Sequence, residues 1–251
     1  MSLLLQVDRL SKNYGSRIGC KDVEFKLHAG EVLGIVGESG SGKSTLLSCL
    51  ARQQQPDGGH ITYRGQDILA MNIAQHRQLT RTEWAFVHQN PRDGLRMGVS
   101  AGGNIGERLM AIGQRHYGNI RAEAEHWLDR VEIQTGRIDD KPRTFSGGMQ
   151  QRLQIARNLV TKPKLILMDE PTGGLDVSVQ ARLLDTMRGL VRDLGLAVII
   201  VTHDLAVVRL LADRALVMKD GHVVESGLAD QILDDPQHAY TQLLVSSVLQ
   251  T

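Results

Sequence analysis

Between Asp22 and His28, Val23, Phe25 and Leu27 alternate with charged or polar neighbours, and this period of two predicts a strand with one exposed face. Val32 to Val36 is a short apolar run with one glycine inside it, the pattern of a strand buried on both faces. Glycines crowd the next segment, and Ser44 to Gln53 then takes up helical spacing. A strand, a glycine loop and a helix are therefore expected in that order. One or two hairpins follow through His60 to Gln66, then a polar helix around Gln75 to Glu83 and a strand at Trp84 to His88.

Beyond Asn90 the pattern changes to helices joined by loops. Asn104 to Ile112, Arg121 to Val131 and Met149 to Leu159 each carry apolar residues three and four apart. Buried-strand runs return at Leu165 to Met168 and Ala197 to Thr202, separated by an amphipathic helix over Val179 to Leu194. Such alternation predicts a parallel sheet with crossover helices, an α/β fold. Ala215 to Lys219 and His222 to Ser226 flank Asp220-Gly221, a two-residue hairpin signal. A helical tail closes the chain. The organisation expected is one domain: residues 1–89 and 162–227 form an α/β core with a β-subdomain, 90–161 an inserted helical subdomain, and 228–251 the tail. No internal repeat interrupts it.

Composition narrows the partners. The 29 basic and 28 acidic side chains among 251 residues leave a formal charge of +1, without the basic excess that a nucleic-acid surface needs. Apolar runs such as Leu196 to Val201 are far shorter than the roughly 18 residues of a membrane span. The first ten residues lack the basic start and longer apolar stretch of a signal peptide. Neither nucleic-acid binding nor direct membrane insertion is expected, and the location expected is cytoplasmic. Cys20 and Cys49 are too few for a disulfide framework or a tetrahedral zinc site, so both read as packed free thiols.

Three motifs carry chemistry. Gly37, Glu38, Ser39, Gly40, Ser41, Gly42, Lys43, Ser44 and Thr45 satisfy GxxxxGK(S/T) between a buried strand and a helix. In that setting backbone N–H groups and the helix N-terminus cradle phosphate oxygens. Lys43 would reach the β- and γ-phosphates of ATP, and Ser44 would place its hydroxyl on Mg²⁺. Leu165 to Pro171 is a buried strand ending in two acids. Asp169 would hold Mg²⁺ through water, and Glu170 would polarise the attacking water. Ser146-Gly147-Gly148 before an amphipathic helix offers a second anion cradle, although a serine N-cap alone would account for it. One nucleotide does not need two cradles. The economical arrangement sets them face to face across two protomers, with ATP between.

Taken with a lone histidine after a buried strand, these motifs resemble the ATP-binding-cassette ATPases, and the likeness covers nearly the whole chain. The resemblance implies a P-loop NTPase fold with a RecA-like parallel-sheet core, an antiparallel β-subdomain and an inserted α-helical subdomain. It implies ATP hydrolysis to ADP and phosphate in an ATP-dependent head-to-tail homodimer. By the family pattern Tyr14 matches the aromatic that stacks on adenine, and Gln89 the glutamine that senses Mg²⁺. Ser146, Gly147 and Gly148 match the signature that meets the opposite protomer's γ-phosphate. Asp176 matches the loop between protomers, and His203 the switch histidine. From the residues alone, Tyr14 reads equally as a core aromatic, Gln89 as a surface amide and His203 as a satisfied core histidine.

Phe145 and Met149 stand where the family more often has leucine and glutamine, and Gly173-Gly174 where it has serine and alanine. None of these changes removes a charge, a metal ligand or the cradle. Within the family, long stretches resemble the ATPase subunits of bacterial carbon–phosphorus lyase systems, which implies docking on soluble lyase core subunits around Asn90 to Met97. The stretch from Gly173 to Asp185 also resembles oligopeptide and dipeptide importer ATPases, whose partner is a membrane permease. A small-molecule P-loop kinase is disfavoured, because it would need no second cradle.

Overall fold

The computed structural model describes residues 2–248. Residue 1 and residues 249–251, the end of the expected tail, lie outside the described residues. By packing, the described residues divide into two compact units, one made of residues 2–72 and 195–248 and the other of residues 73–194.

The first unit starts with strands β1 (Leu3–Tyr14), β2 (Arg17–His28) and β3 (Val32–Val36), helix α1 (Lys43–Leu50), and strands β4 (Gly58–Tyr63) and β5 (Gln66–Asp67). The second unit comprises α2 (Ile73–Thr82), β6 (Trp84–Val87), α3 (Pro91–Gly94), α4 (Ala101–Ala111), α5 (Tyr117–Arg130), α6 (Gly147–Leu159), β7 (Leu165–Asp169) and α7 (Val177–Leu194). The chain then completes the first unit with β8 (Ala197–Thr202), α8 (Leu205–Leu211), β9 (Arg214–Lys219), β10 (His222–Leu228), α9 (Ala229–Asp234) and α10 (Ala239–Val248).

In the first unit β3 pairs in parallel with both β8 and β9, while β10 closes antiparallel on β9. Every residue of β3 and β8 is buried, as their unbroken apolar runs predict. A separate antiparallel sheet has the order β2-β1-β4-β5. The turn between β9 and β10 has φ of 48° at Asp220 and 82° at Gly221, the left-handed pair that an Asp-Gly hairpin is suited to supply. Cys20 and Cys49 are free and buried, as expected of packed thiols.

In the second unit β6 and β7 pair in parallel, and α4, α5 and α6 pack on one another. Trp127 of α5 is buried. Helix α7 turns Leu183, Leu184, Met187 and Leu190 inward, the stripe its amphipathic pattern predicts.

Two elements depart from the sequence reading. β1 has no clean alternation, because its register against β2 shifts between Val7 and Leu10, where Arg9 has φ of 45°. An irregularity of that kind moves the buried positions from one parity to the other. α8 is an apolar segment of seven residues, a length at which periodicity does not separate helix from strand.

A buried ionic cluster ties the turn before β3 to β9. Glu31 accepts from the backbone N–H of His28 at 2.7 Å, the His28 ring at 2.9 Å and the Arg214 guanidinium at 2.8 Å. Burial pushes this carboxyl upward, but the donors outweigh it and hold it below the ordinary 4.5. Its stabilisation is therefore complete above the unfolded value and is lost as pH falls below it. Glu31→Gln is expected to cost about 2 kcal/mol at neutral pH, on the scale of hydrogen bonds to charged groups. Denaturant midpoints measured from neutral to acid pH check this: the gap between parent and variant should close below the ordinary 4.5.

Candidate active site

The glycine loop of the first unit joins β3 to α1 and is gripped by backbone on several sides. Gly37 has φ of 148°, and a Cβ there would stand 2.2 Å from the carbonyl oxygen of Met218. Gly42 has φ of 104°, and its Cβ would stand 2.0 Å from the carbonyl oxygen of Gly19. Both positions thus demand glycine for backbone angle and for space. The hairpin turn adds a bond, with Gly221 N–H donating to the Ser41 carbonyl at 2.9 Å.

Lys43 is only 4% exposed. Its ammonium donates to the carbonyls of Gly37 at 2.7 Å and Glu38 at 2.8 Å, and to Ser41 Oγ at 3.4 Å. The buried cation is thus held inside the ring of its own loop by charge-assisted hydrogen bonds. No side chain caps the N-terminus of α1, where Gly42 is the capping position, and the Ser44 hydroxyl is exposed beside it.

Tyr14 ends β1 and is 44% exposed, so it is not a core aromatic. Lys12 lies over its ring at 5.8 Å, and its hydroxyl donates to Gln54. His203 is exposed in the turn after β8 and is not a core histidine either. The next residue, Asp204, caps α8 by accepting from Ala206 N–H at 2.8 Å.

In the second unit β7 delivers both acids at its C-terminal end. Asp169 is half-buried, and Glu170 has φ of 40°, a left-handed conformation costing a non-glycine residue about 1–3 kcal/mol. A turn bond from Gly173 N–H to the Glu170 carbonyl at 2.9 Å helps to hold it. Gln89, exposed after β6, donates its amide to Glu170 Oε2 at 3.0 Å. Residues 81 positions apart thus share one hydrogen bond, and Gln89 is more than a surface amide. A Cβ on Gly173 would stand 3.2 Å from the Glu170 carbonyl oxygen and 3.4 Å from the Gln89 amide nitrogen, so this turn lies close against both residues.

Ser146 is the N-cap of α6, its hydroxyl accepting from Met149 N–H at 3.3 Å. Gly147 and Gly148 open the helix, and a Cβ on Gly148 would stand 2.4 Å from Val179 of α7. The signature therefore packs against the start of α7, which follows the exposed Asp176. Arg137 touches both unusual signature residues: its guanidinium lies 4.5 Å from the Phe145 ring and 3.6 Å from Met149 Sδ.

Sequence reasoning missed the buried amides of α6. Gln154 accepts from His88 N–H at 2.7 Å, and both Gln154 and Gln151 donate to the His88 carbonyl, at 3.1 and 3.3 Å. Asn158 donates to the Phe86 carbonyl at 2.9 Å. The helix carrying the signature thus grips the backbone one residue before Gln89. The signal was present as amides at 151, 154 and 158, one helical face interleaved with the apolar stripe. The His88 ring is pushed below its ordinary 6.5 by burial, so it is neutral at pH 7.

With this geometry described, likeness to known proteins can be placed on it. The family model described as ABC transporter matches residues 20–173, more than half of the chain. An Escherichia coli (strain K12) protein named for phosphonates utilization, the ATP-binding protein PhnK, is 68% identical over 98% of this chain and 98% of its own. The dipeptide transport ATP-binding protein DppF of the same organism is 38% identical over 97% of this chain and 77% of its own length. A dimeric ATP-binding cassette solved after hydrolysis, with ADP and Pi bound, superposes with a TM-score of 0.82 at 28% identity, covering 90% of this chain and 99% of that one. A family model matched over more than half of the chain, and a relative 68% identical nearly end to end, place the chain in the ABC transporter family of ATP-binding cassettes.

Proposed function

We propose that this ATPase serves phosphonate utilisation in the cytoplasm, docking on the soluble subunits of a carbon–phosphorus lyase core and changing their shape through cycles of ATP binding and hydrolysis. The observation that carries this reading is the 68% identity, nearly end to end, with a protein named for phosphonates utilization. Among the described residues no helix is long and apolar enough to cross a membrane. Residues 1–89 and 162–227 are assigned as the catalytic core, 90–161 as the signature subdomain and 228–251 as the tail.

In this reading Lys43 exchanges the carbonyls of Gly37 and Glu38 for the β- and γ-phosphate oxygens of ATP. The N–H groups from Gly37 to Thr45 complete the cradle, and Tyr14 stacks on the adenine. Glu170, oriented by the Gln89 amide, accepts a proton from the attacking water as it closes on the γ-phosphorus. His203 steadies the γ-phosphate. Ser146, Gly147, Gly148 and Asp176 act across the dimer on the partner's nucleotide. ATP favours the closed pair only in so far as it binds that state more tightly, and hydrolysis withdraws the preference.

Ser44, Asp169 and Gln89 supply a hydroxyl, a carboxylate and an amide, all oxygen donors of the kind a hard cation accepts. Among the described residues no group of three or more His, Cys, Asp or Glu side chains could hold a metal by themselves. Each is of a kind that would suit a Mg²⁺ arriving with the nucleotide phosphates, whose charge the cation would neutralise.

The second reading, an importer ATPase energising a permease, is favoured by the 38% identity with a dipeptide transport protein. Affinity capture from detergent-solubilised whole-cell extract of cells grown on a phosphonate separates the two. Lyase core subunits are expected in the eluate. Permease chains without them would replace the first reading with the second.

A further inference from the structure

The C-terminal tail reaches the phosphate loop. Tyr240, in the first turn of α10, accepts a hydrogen bond from the backbone N–H of Glu38 at 3.0 Å. The carbonyl of that same peptide unit, on Gly37, accepts from Lys43 at 2.7 Å. Among the described residues there are no cis peptide bonds, and the N–H and C=O of a trans peptide point in opposite directions. The Gly37-Glu38 peptide is therefore clasped from two sides, by the loop's cation and by the tail's phenol.

The phenol is itself held in place. Its ring is 6% exposed, packs with Val36, Leu205, Ile232 and Leu233, and carries the Lys219 ammonium 5.0 Å from its centroid. Upstream, Glu225 of β10 accepts from the N–H groups of Gln237 and His238 at 2.8 and 3.0 Å, anchoring the turn that leads into α10. A turn anchored by a carboxylate and an aliphatic core thus converge to present one hydroxyl to one N–H of the loop. Nothing in the packing alone requires that hydroxyl, since phenylalanine fills the same volume.

We infer that Tyr240 is a positioning residue for the phosphate loop: its hydroxyl fixes the Gly37-Glu38 peptide, and through it the seat of Lys43, so that the docked tail sets affinity for ATP. This rests on the reading of the loop as the ATP site. The tail does not touch the hydrolytic acids in this proposal, so the effect falls on binding and spares the chemical step.

The test compares three variants of the full chain by titration with a fluorescent ATP analogue and by steady-state hydrolysis. Tyr240→Phe is expected to weaken nucleotide binding and raise KM about fivefold, the fold-change of one neutral hydrogen bond, with kcat nearly unchanged. Ile232→Val trims the same core cluster without touching the loop, and should lower the melting temperature while keeping parental affinity. Parental affinity in Tyr240→Phe, or an equal loss in Ile232→Val, would overturn the inference, the second result showing that packing alone is responsible. Lys43→Ala serves as the control. If it kept parental affinity the ATP-site reading would fall, whereas its loss beside a parental Tyr240→Phe would sink the tail's role only.

Discussion

Glu170→Gln is expected to lower ATP turnover by about 10²- to 10⁴-fold, the usual loss when a positioned general base is removed, while ATP still binds. Glutamine is nearly isosteric, so it can occupy the left-handed position with φ of 40° at the end of β7 and still accept the Gln89 amide through its carbonyl. It cannot accept a proton from water. The bound nucleotide then stays triphosphate, and the state that ATP favours accumulates because the step that withdraws the preference is blocked. Size-exclusion chromatography with ATP should show a stable dimer in the variant, and single-turnover hydrolysis should show the slow step. Hydrolysis at the parental rate would remove Glu170 from the role of base.

Lys43→Ala is expected to abolish productive nucleotide binding, with affinity falling by about 10²-fold or more. The estimate follows from the loss of charge-assisted hydrogen bonds to phosphate, each contributing about 1.5–3 kcal/mol. The lysine does two things that alanine cannot. It supplies the cation for the phosphates, and it closes the loop on itself through the carbonyls of Gly37 and Glu38. Removing it therefore costs both the contact and the shape that receives it. Calorimetric titration with ATP measures the effect. An unchanged affinity would show that the loop binds phosphate by its N–H groups alone.

Much of the candidate site was legible in the chain because its parts are local. The glycine loop works through residues adjacent in sequence, with angles only glycine tolerates at Gly37 and Gly42. The acids of β7 are visible because a buried strand must end somewhere, and two charges cannot continue into its core. The Asp220-Gly221 turn follows from two residues whose preferences match the left-handed pair they adopt. The alternative readings of Tyr14 and His203 as core residues were decided only by the observed exposure, since a single aromatic or histidine carries no period.

Other features were invisible for a common reason. β1 hid behind a register shift at Arg9, which breaks the alternation that marks a strand. The grip of Gln154 on His88 spans 66 positions, the bond from Gln89 to Glu170 spans 81, and that from Glu38 to Tyr240 spans 202. The sequence by itself determined the α/β class and the place of the glycine loop and the paired acids, because these rest on short-range backbone preference or on a period of apolar residues, while the wording of the motifs carried the resemblance to the family. Only the tertiary structure decided which amide holds Glu170, what touches the unusual signature residues, and that a tyrosine from the tail braces the loop. Those contacts depend on where separate elements come to pack, and local pattern carries no information about the distance between side chains brought together from far along the chain.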